Sequence, residues 1–202
     1  AGNDTIYWDA SDVLASVLGG TGSDTLVFTS GAAPTTFSLT GHGFEFAEGR
    51  FTDTAGTATW ATRTDTYDSQ WRWDKQLVNY DNGTSNYTDL DQLGNQAWTQ
   101  VSNQNDTAGR WDWQLINYDD GTSNYTDLDQ LGNQAWTQVS NQNDTAGRWD
   151  WQLINYDDGS TTFADLDQLN ANAWGQDVYV RNPLGVLTSH YWVMDDGSII
   201  AQ

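Results

Sequence analysis

Apolar and polar positions alternate with a period near two over most of the chain. From Arg110 to Tyr118, the residues Trp111, Trp113 and Leu115 alternate with Asp112, Gln114 and Ile116. That is the pattern of a strand with one aromatic face. Asp119-Asp120-Gly121 then predicts a tight turn, because glycine accepts a positive φ without steric cost. Ser123 to Gln130 alternates again, Leu131-Gly132-Asn133 turns, Trp136 to Asn141 extends, and the stretch from Asn143 to Gly147 turns once more. Each such unit predicts about three strands. A helical period is expected only over Ser11 to Leu18, enough for one or two turns.

The unit recurs. At an offset of 38 residues the run Arg110 to Tyr118 falls on the identical run Arg148 to Tyr156, and Tyr87 to Trp98 falls on Tyr125 to Trp136. Weaker copies flank this pair, since Gly83, Gly121, Gly159 and Gly197 keep the interval, as do Trp60, Trp98, Trp136 and Trp174. Degenerate outer copies are usual in repeat arrays, where the ends face solvent. The expected organisation is a glycine- and aspartate-rich cap over residues 1–43 and a Trp-rich array of 38-residue repeats over 44–202. The fold class expected is all-β, with a short β-roll-like cap followed by an antiparallel meander in sequence order. The pattern leaves an open sheet, a barrel and a two-layer arrangement equally open.

Composition narrows the partners. The 202 residues carry 28 acidic and 7 basic side chains, a formal charge of -21, which excludes nucleic acid and anionic membrane surfaces as natural partners. Cations are favoured instead. Glu45 and Glu48 are the only glutamates, so the acids are almost all Asp, the residue of turns and metal loops. There is no cysteine, no apolar run long enough for a membrane span and no signal-peptide pattern. The opening Ala1-Gly2-Asn3-Asp4 is expected of a segment cut from a larger protein.

Gly19-Gly20-Thr21-Gly22-Ser23-Asp24-Thr25-Leu26-Val27 fits every position of the G-G-x-G-x-D-x-U-x nonapeptide, and Ala1 to Tyr7 fits the latter part of a second. Here the chain resembles secreted bacterial repeats-in-toxin (RTX) proteins, the hemolysin-type calcium-binding family, over about residues 1–27. The resemblance implies a parallel β-roll in which stacked glycine turns share Ca2+, with Asp4 and Asp24 as carboxylate ligands and the turn at Gly20 and Gly22 offering carbonyl oxygens. It also implies an extracellular setting. The two Asp lie 20 residues apart, not a multiple of nine, so a single site, or one completed by residues upstream, is expected in place of a regular ion-filled roll. The repeat region is similar to those that follow such nonapeptides in large secreted RTX proteins. It is more loosely similar to YD repeats through Tyr118-Asp119-Asp120-Gly121.

In the array, Asp127 and Asp129 are expected on one strand face, as are Asp89 and Asp91, and are assigned as further calcium ligands because close carboxylates repel unless a cation intervenes. Ten of the twelve Trp fall between Trp60 and Trp174. Two roles stay open for them. As core, they supply the mass that the few Leu, Ile and Val cannot. As a ladder, Trp73, Trp111, Trp113, Trp149 and Trp151 would stack on the faces of a carbohydrate. Arg72, Arg110 and Arg148, at equivalent positions, are expected to pair with neighbouring Asp or to stack on indole. No nucleophile elbow, Walker loop or His-Glu-x-x-His motif is present, and no catalytic residue is assigned. The function expected is an extracellular, calcium-binding structural or adhesive repeat module of a larger secreted bacterial protein. A carbohydrate-binding module and a self-assembling fibre subunit are the alternatives, with a surface glycan or copies of the chain itself as partners.

Overall fold

The computed structural model describes residues 2–9, 12, 17–29, 38–169 and 171–202. Among them are fifteen strands: β1 (Thr5–Trp8), β2 (Thr25–Phe28), β3 (Phe46–Thr52), β4 (Trp60–Asp68), β5 (Trp73–Tyr80), β6 (Ser85–Leu90), β7 (Trp98–Asn105), β8 (Trp111–Tyr118), β9 (Ser123–Leu128), β10 (Trp136–Asn143), β11 (Trp149–Tyr156), β12 (Thr161–Leu166), β13 (Trp174–Arg181), β14 (Leu187–Met194) and β15 (Ile199–Ala201). Apart from them, the described residues hold one 3-10 turn at Thr40–His42. The helical turns expected over Ser11 to Leu18 lie outside the described residues at Ser11 and at 13–16. No described helix is long and apolar enough to cross a membrane.

The chain forms two compact units. The first is Ala1–Gln96 with Thr107–Gly109, and the second is Ala97–Asp106 with Arg110–Gln202. In the first unit β1 to β6 lie side by side in sequence order; in the second, β7 to β15 do the same. The all-β repetitive meander is thus the observed fold, and of the arrangements left open it is the open sheet.

The first unit begins with parallel pairing. Thr5 pairs with Thr25 and Thr25 with Phe46, so β1, β2 and β3 stack as successive coils. The glycines allow this closeness. A Cβ on Gly22 would lie 1.8 Å from the Gly2 carbonyl oxygen, and one on Gly19 would lie 2.1 Å from that of Gly43. Below the turn, Leu26, Phe28, Leu39, Phe44 and Ala47 make a buried cluster, with Phe51, Tyr67 and Trp71 against it. From β3 onward the pairing is antiparallel.

Trp71 joins the two patterns. Its φ of 62° is the one positive value among described non-glycine residues, and the equivalent positions one and two copies later are Gly109 and Gly147, at φ 75° and 76°. An L-residue in this region costs about 1–2 kcal/mol. The indole offsets that cost by packing 6.3 Å from the Phe28 ring and 5.8 Å from the Tyr67 ring.

In the second unit, contacts run almost wholly between strands adjacent in sequence. Among the described residues of this unit, neither face of the sheet is covered by a second layer of the unit's own, and most side chains are half-buried. The turns are those the sequence predicts: Gly121 N–H donates to the Tyr118 carbonyl at 3.0 Å, and Gly147 N–H to that of Asp144 at 2.9 Å. Three strands per copy is an odd number, so each copy runs opposite to the last. Register shows that it also turns over. Trp113 pairs with Asp127, Asp127 with Val139 and Val139 with Ile154, all on one face. Trp151, the counterpart of Trp113, pairs with Gln142, which pairs with Asn124, on the other face. Successive copies are related by a half-turn about an axis in the sheet plane, across the strands.

Candidate functional site

The stacked turn is built from one acid per coil. Asp4, Asp24 and Glu45 each stand one residue before their strand, and their separations of 20 and 21 residues are the length of a coil. Asp24 is fully buried. Its Oδ1 accepts the Asp4 N–H at 2.7 Å, and its own N–H donates to Glu45 Oε2 at 2.6 Å. Asn3 Oδ1 accepts the Ser23 N–H at 3.1 Å in the same stack. Asp24 Oδ2, in contrast, is buried with no hydrogen-bond partner among the described residues. A buried carboxylate oxygen left this way is costly unless a cation or proton meets it. Gly20 and Gly22 adopt φ of 104° and 142° beside it. Glu45 is no sequence-predicted ligand, although its spacing from Asp24, one residue more than that from Asp4 to Asp24, is a readable signal.

Asp127 and Asp129 have separate surroundings. Asp129 lies past the end of β9, in the turn, where its carboxylate accepts the Gln134 N–H at 2.7 Å. That and neighbouring turn N–H groups hold its pKa below the usual carboxylate range. Asp91 and Asp167 do the same in their copies. Asp127 stays within β9, and its pKa is raised, first by burial and then by Asp112.

Simple alternation puts Asp112 on the face away from Trp113. A β-bulge changes this. Gln104 pairs with Trp113 and Asn105 with Trp111, so Asp112 has no partner across the ladder and is the extra residue. Bulges re-aim side chains. Gln104 Nε2–H now donates to Asp112 Oδ2 at 3.2 Å, and Asp112 raises the proton affinity of Asp127. Bulges at Asp74 and Asp150 repeat the arrangement, with Asp74 raised by burial and then, among the acids, by Asp89, and Asp165 raised by burial and then by Asp150. In the first copy Lys75 Nζ lies 3.5 Å from Asp89. Among the described residues, no three His, Asp or Glu side chains converge in a way that could hold a metal on their own.

The same bulge separates the indoles. Trp111 and Trp113 pair with consecutive residues of β7 and so lie on opposite faces, and Trp149 and Trp151 do likewise against β10. Each face receives one indole of each kind: Trp113 with Trp149 on one, Trp111 with Trp151 on the other. Trp113 packs on Tyr125 at 6.0 Å between ring centroids and Trp151 on Phe163 at 5.9 Å. Trp73, Trp111 and Trp149 are the more exposed set, and Trp111 Nε1–H donates to the Trp113 carbonyl at 3.0 Å.

Arg72, Arg110 and Arg148 close the bulged hairpins. Each donates from its backbone N–H, at 2.9 Å, and from Nε to the carboxylate four residues earlier, that of Asp68, Asp106 and Asp144. The last copy is singular, with Asp177 where Val139 stands and Tyr179 where Asn141 stands. There the Tyr179 hydroxyl donates to Asp177 Oδ2 at 2.9 Å, His190 Nε2 lies 2.7 Å from Oδ1, and the two rings stack at 4.2 Å. Phe163 extends this row towards Trp151. These rings spend their faces on one another, which is how a sheet without a second layer stabilises itself. Compared with known protein families and with curated proteins, the chain matches none.

Proposed function

We propose that the chain is an extracellular, calcium-responsive structural repeat module of a larger secreted protein, spacing or adhesive in role. The observation that carries this reading is that strands of the second unit contact almost only their sequence neighbours while the 38-residue copies follow one another by a constant half-turn. An array of this kind lengthens by adding copies without disturbing those already present. Three more strands at about 4.8 Å each add roughly 14 Å.

Calcium enters through the stacked turn, where the donors are all oxygen. Asp24 Oδ2 is buried and unpartnered among the described residues, and the RTX-like motif supports the assignment. Because Glu45 is engaged by the Asp24 N–H, carbonyls of the turn at Gly20 and Gly22 would supply further ligands. Ion binding to the folded cap alone adds stability by linkage.

Two measurements test the reading. Deleting residues 110–147 joins Gly109 to Arg148 across a seam identical to the native one, and duplicating them adds a copy. X-ray scattering should report a shorter and a longer particle, each folded by circular dichroism. Unfolding on either change would end the spacer reading. Separately, Ca2+ should raise the melting temperature of the full chain and leave Asp24→Asn unmoved. A flat calcium titration would remove the ion and leave the spacer intact.

A further inference from the structure

Six Asn-x-Ser/Thr triplets without an intervening proline occur in the chain, at Asn3, Asn82, Asn86, Asn105, Asn124 and Asn143. The triplet is the acceptor of N-linked sugar where the backbone around it is accessible. The fold separates the six. Asn86 and Asn124 lie within β6 and β9 and are half-buried, while Asn105 and Asn143 end β7 and β10 inside the ladder. Asn143 Nδ2, the atom a sugar would take, already donates to Ser123 Oγ at 3.1 Å. The Asn3 carboxamide is held in the stacked turn by the Ser23 N–H.

Asn82 differs from all of these. It is exposed in the turn between β5 and β6, where Gly83 has a φ of 86°. Its Oδ1 accepts the Thr84 N–H at 2.9 Å and the Thr84 hydroxyl at 2.8 Å. Two donors on the carboxamide oxygen stabilise negative charge there and so acidify the Nδ2–H, and removal of that proton by a base leaves a nitrogen lone pair free to attack. The later copies build the same turn around a carboxylate. Thr122 N–H and Oγ1 reach Asp120 Oδ1 at 2.9 and 2.7 Å, and Ser160 N–H reaches Asp158 Oδ1 at 2.8 Å. Those turns have the geometry without the nitrogen.

We propose that Asn82 is the N-glycosylation acceptor of this chain, taking a hexose from a nucleotide-activated sugar. The bond from Nδ2 to sugar C1 forms as the C1–O bond to phosphate breaks. The nucleoside diphosphate leaves with the electron pair, and the Nδ2 proton passes to the transferase's base. Nothing is oxidised or reduced.

The test uses the folded full chain with a soluble Asn-x-Ser/Thr-directed N-glycosyltransferase and UDP-glucose, read by peptide mass spectrometry. One hexose is expected on Asn82, with at least tenfold lower occupancy at the other five triplets. Thr84→Ala should remove it, and Asp120→Asn, which recreates Asn-Gly-Thr in the next copy, should add a second hexose there. Wild-type circular dichroism in both variants confirms that the turn alone was changed. The proposal is overturned by comparable occupancy on the strand triplets or by no gain in Asp120→Asn. Deamidation at Asn82-Gly83 without any hexose overturns it as well.

Discussion

Replacing Trp71 tests whether the junction between coil stack and meander is a strained turn held by a ring. The indole sits half-buried against Phe28 and Tyr67. Taking about 100 Å² as the apolar area it removes from water, at ~25 cal/mol per Å², its loss costs about 2.5 kcal/mol. Trp71→Ala keeps a Cβ at φ 62° and should lose that full amount. Trp71→Gly loses the same packing but is relieved of about 1–2 kcal/mol of left-handed strain, against roughly 0.5–1 kcal/mol of added chain entropy. Glycine should therefore be the more stable variant by roughly 1 kcal/mol, though both fall below the parent. Urea unfolding followed by far-ultraviolet circular dichroism gives the order directly. If alanine equals or exceeds glycine, the turn does not hold a left-handed residue in solution and the account of the junction fails.

Leu26→Ala, at a fully buried position, should cost about 2–5 kcal/mol in the same assay. Leu131→Ala, 76% exposed at a turn tip, should stay within about 0.5 kcal/mol of the parent. Asp91, Asp129 and Asp167 have lowered pKa values because turn N–H groups bind their charged forms. Their stabilisation is present above the unfolded carboxylate pKa and lost as pH falls through the folded values, so the melting temperature should drop on acidification below about pH 4. Asp127 has the opposite sign. Its folded pKa is raised, so its charge destabilises at neutral pH, and Asp127→Asn should melt higher at pH 7. That advantage should shrink as the parent protonates in acid; an equal advantage at every pH would show that charge is not the cause.

Much of the meander was legible in the sequence because its signals are local. Period-two alternation, Asp-Asp-Gly turns and the 38-residue interval fix three strands per copy and their order. The coil stack was legible only through its resemblance, since parallel pairing at a separation of 20 residues leaves no alternation to read. The bulges left no signal at all. Asp112 occupies an ordinary polar position between two indoles, and only the pairing of Gln104 and Asn105 with Trp113 and Trp111 shows that it is the extra residue. The sequence pattern sets Asp127 against Asp129, whereas the acid that raises its proton affinity most is Asp112, re-aimed by the bulge.

The turning-over of successive copies decides what the indoles can do together. A repeat of even strand number would bring each copy back to the same direction and allow equivalent rings to line one face as a ladder. Three strands reverse the direction, and the register puts Trp113 and Trp151 on opposite faces. Within the second unit, a partner bound along one face meets Trp113 from one copy and Trp149 from the next, residues in different settings, the first packed on Tyr125 and the second 53% exposed. Equivalent rings recur on a face only every second copy, about 29 Å apart at six strands of ~4.8 Å. The repeat therefore treats both faces alike and strengthens each hairpin from within, through pairs such as Trp113 with Tyr125 and Trp151 with Phe163. A single-layer sheet requires the same of both faces, because neither has a second layer to bury it.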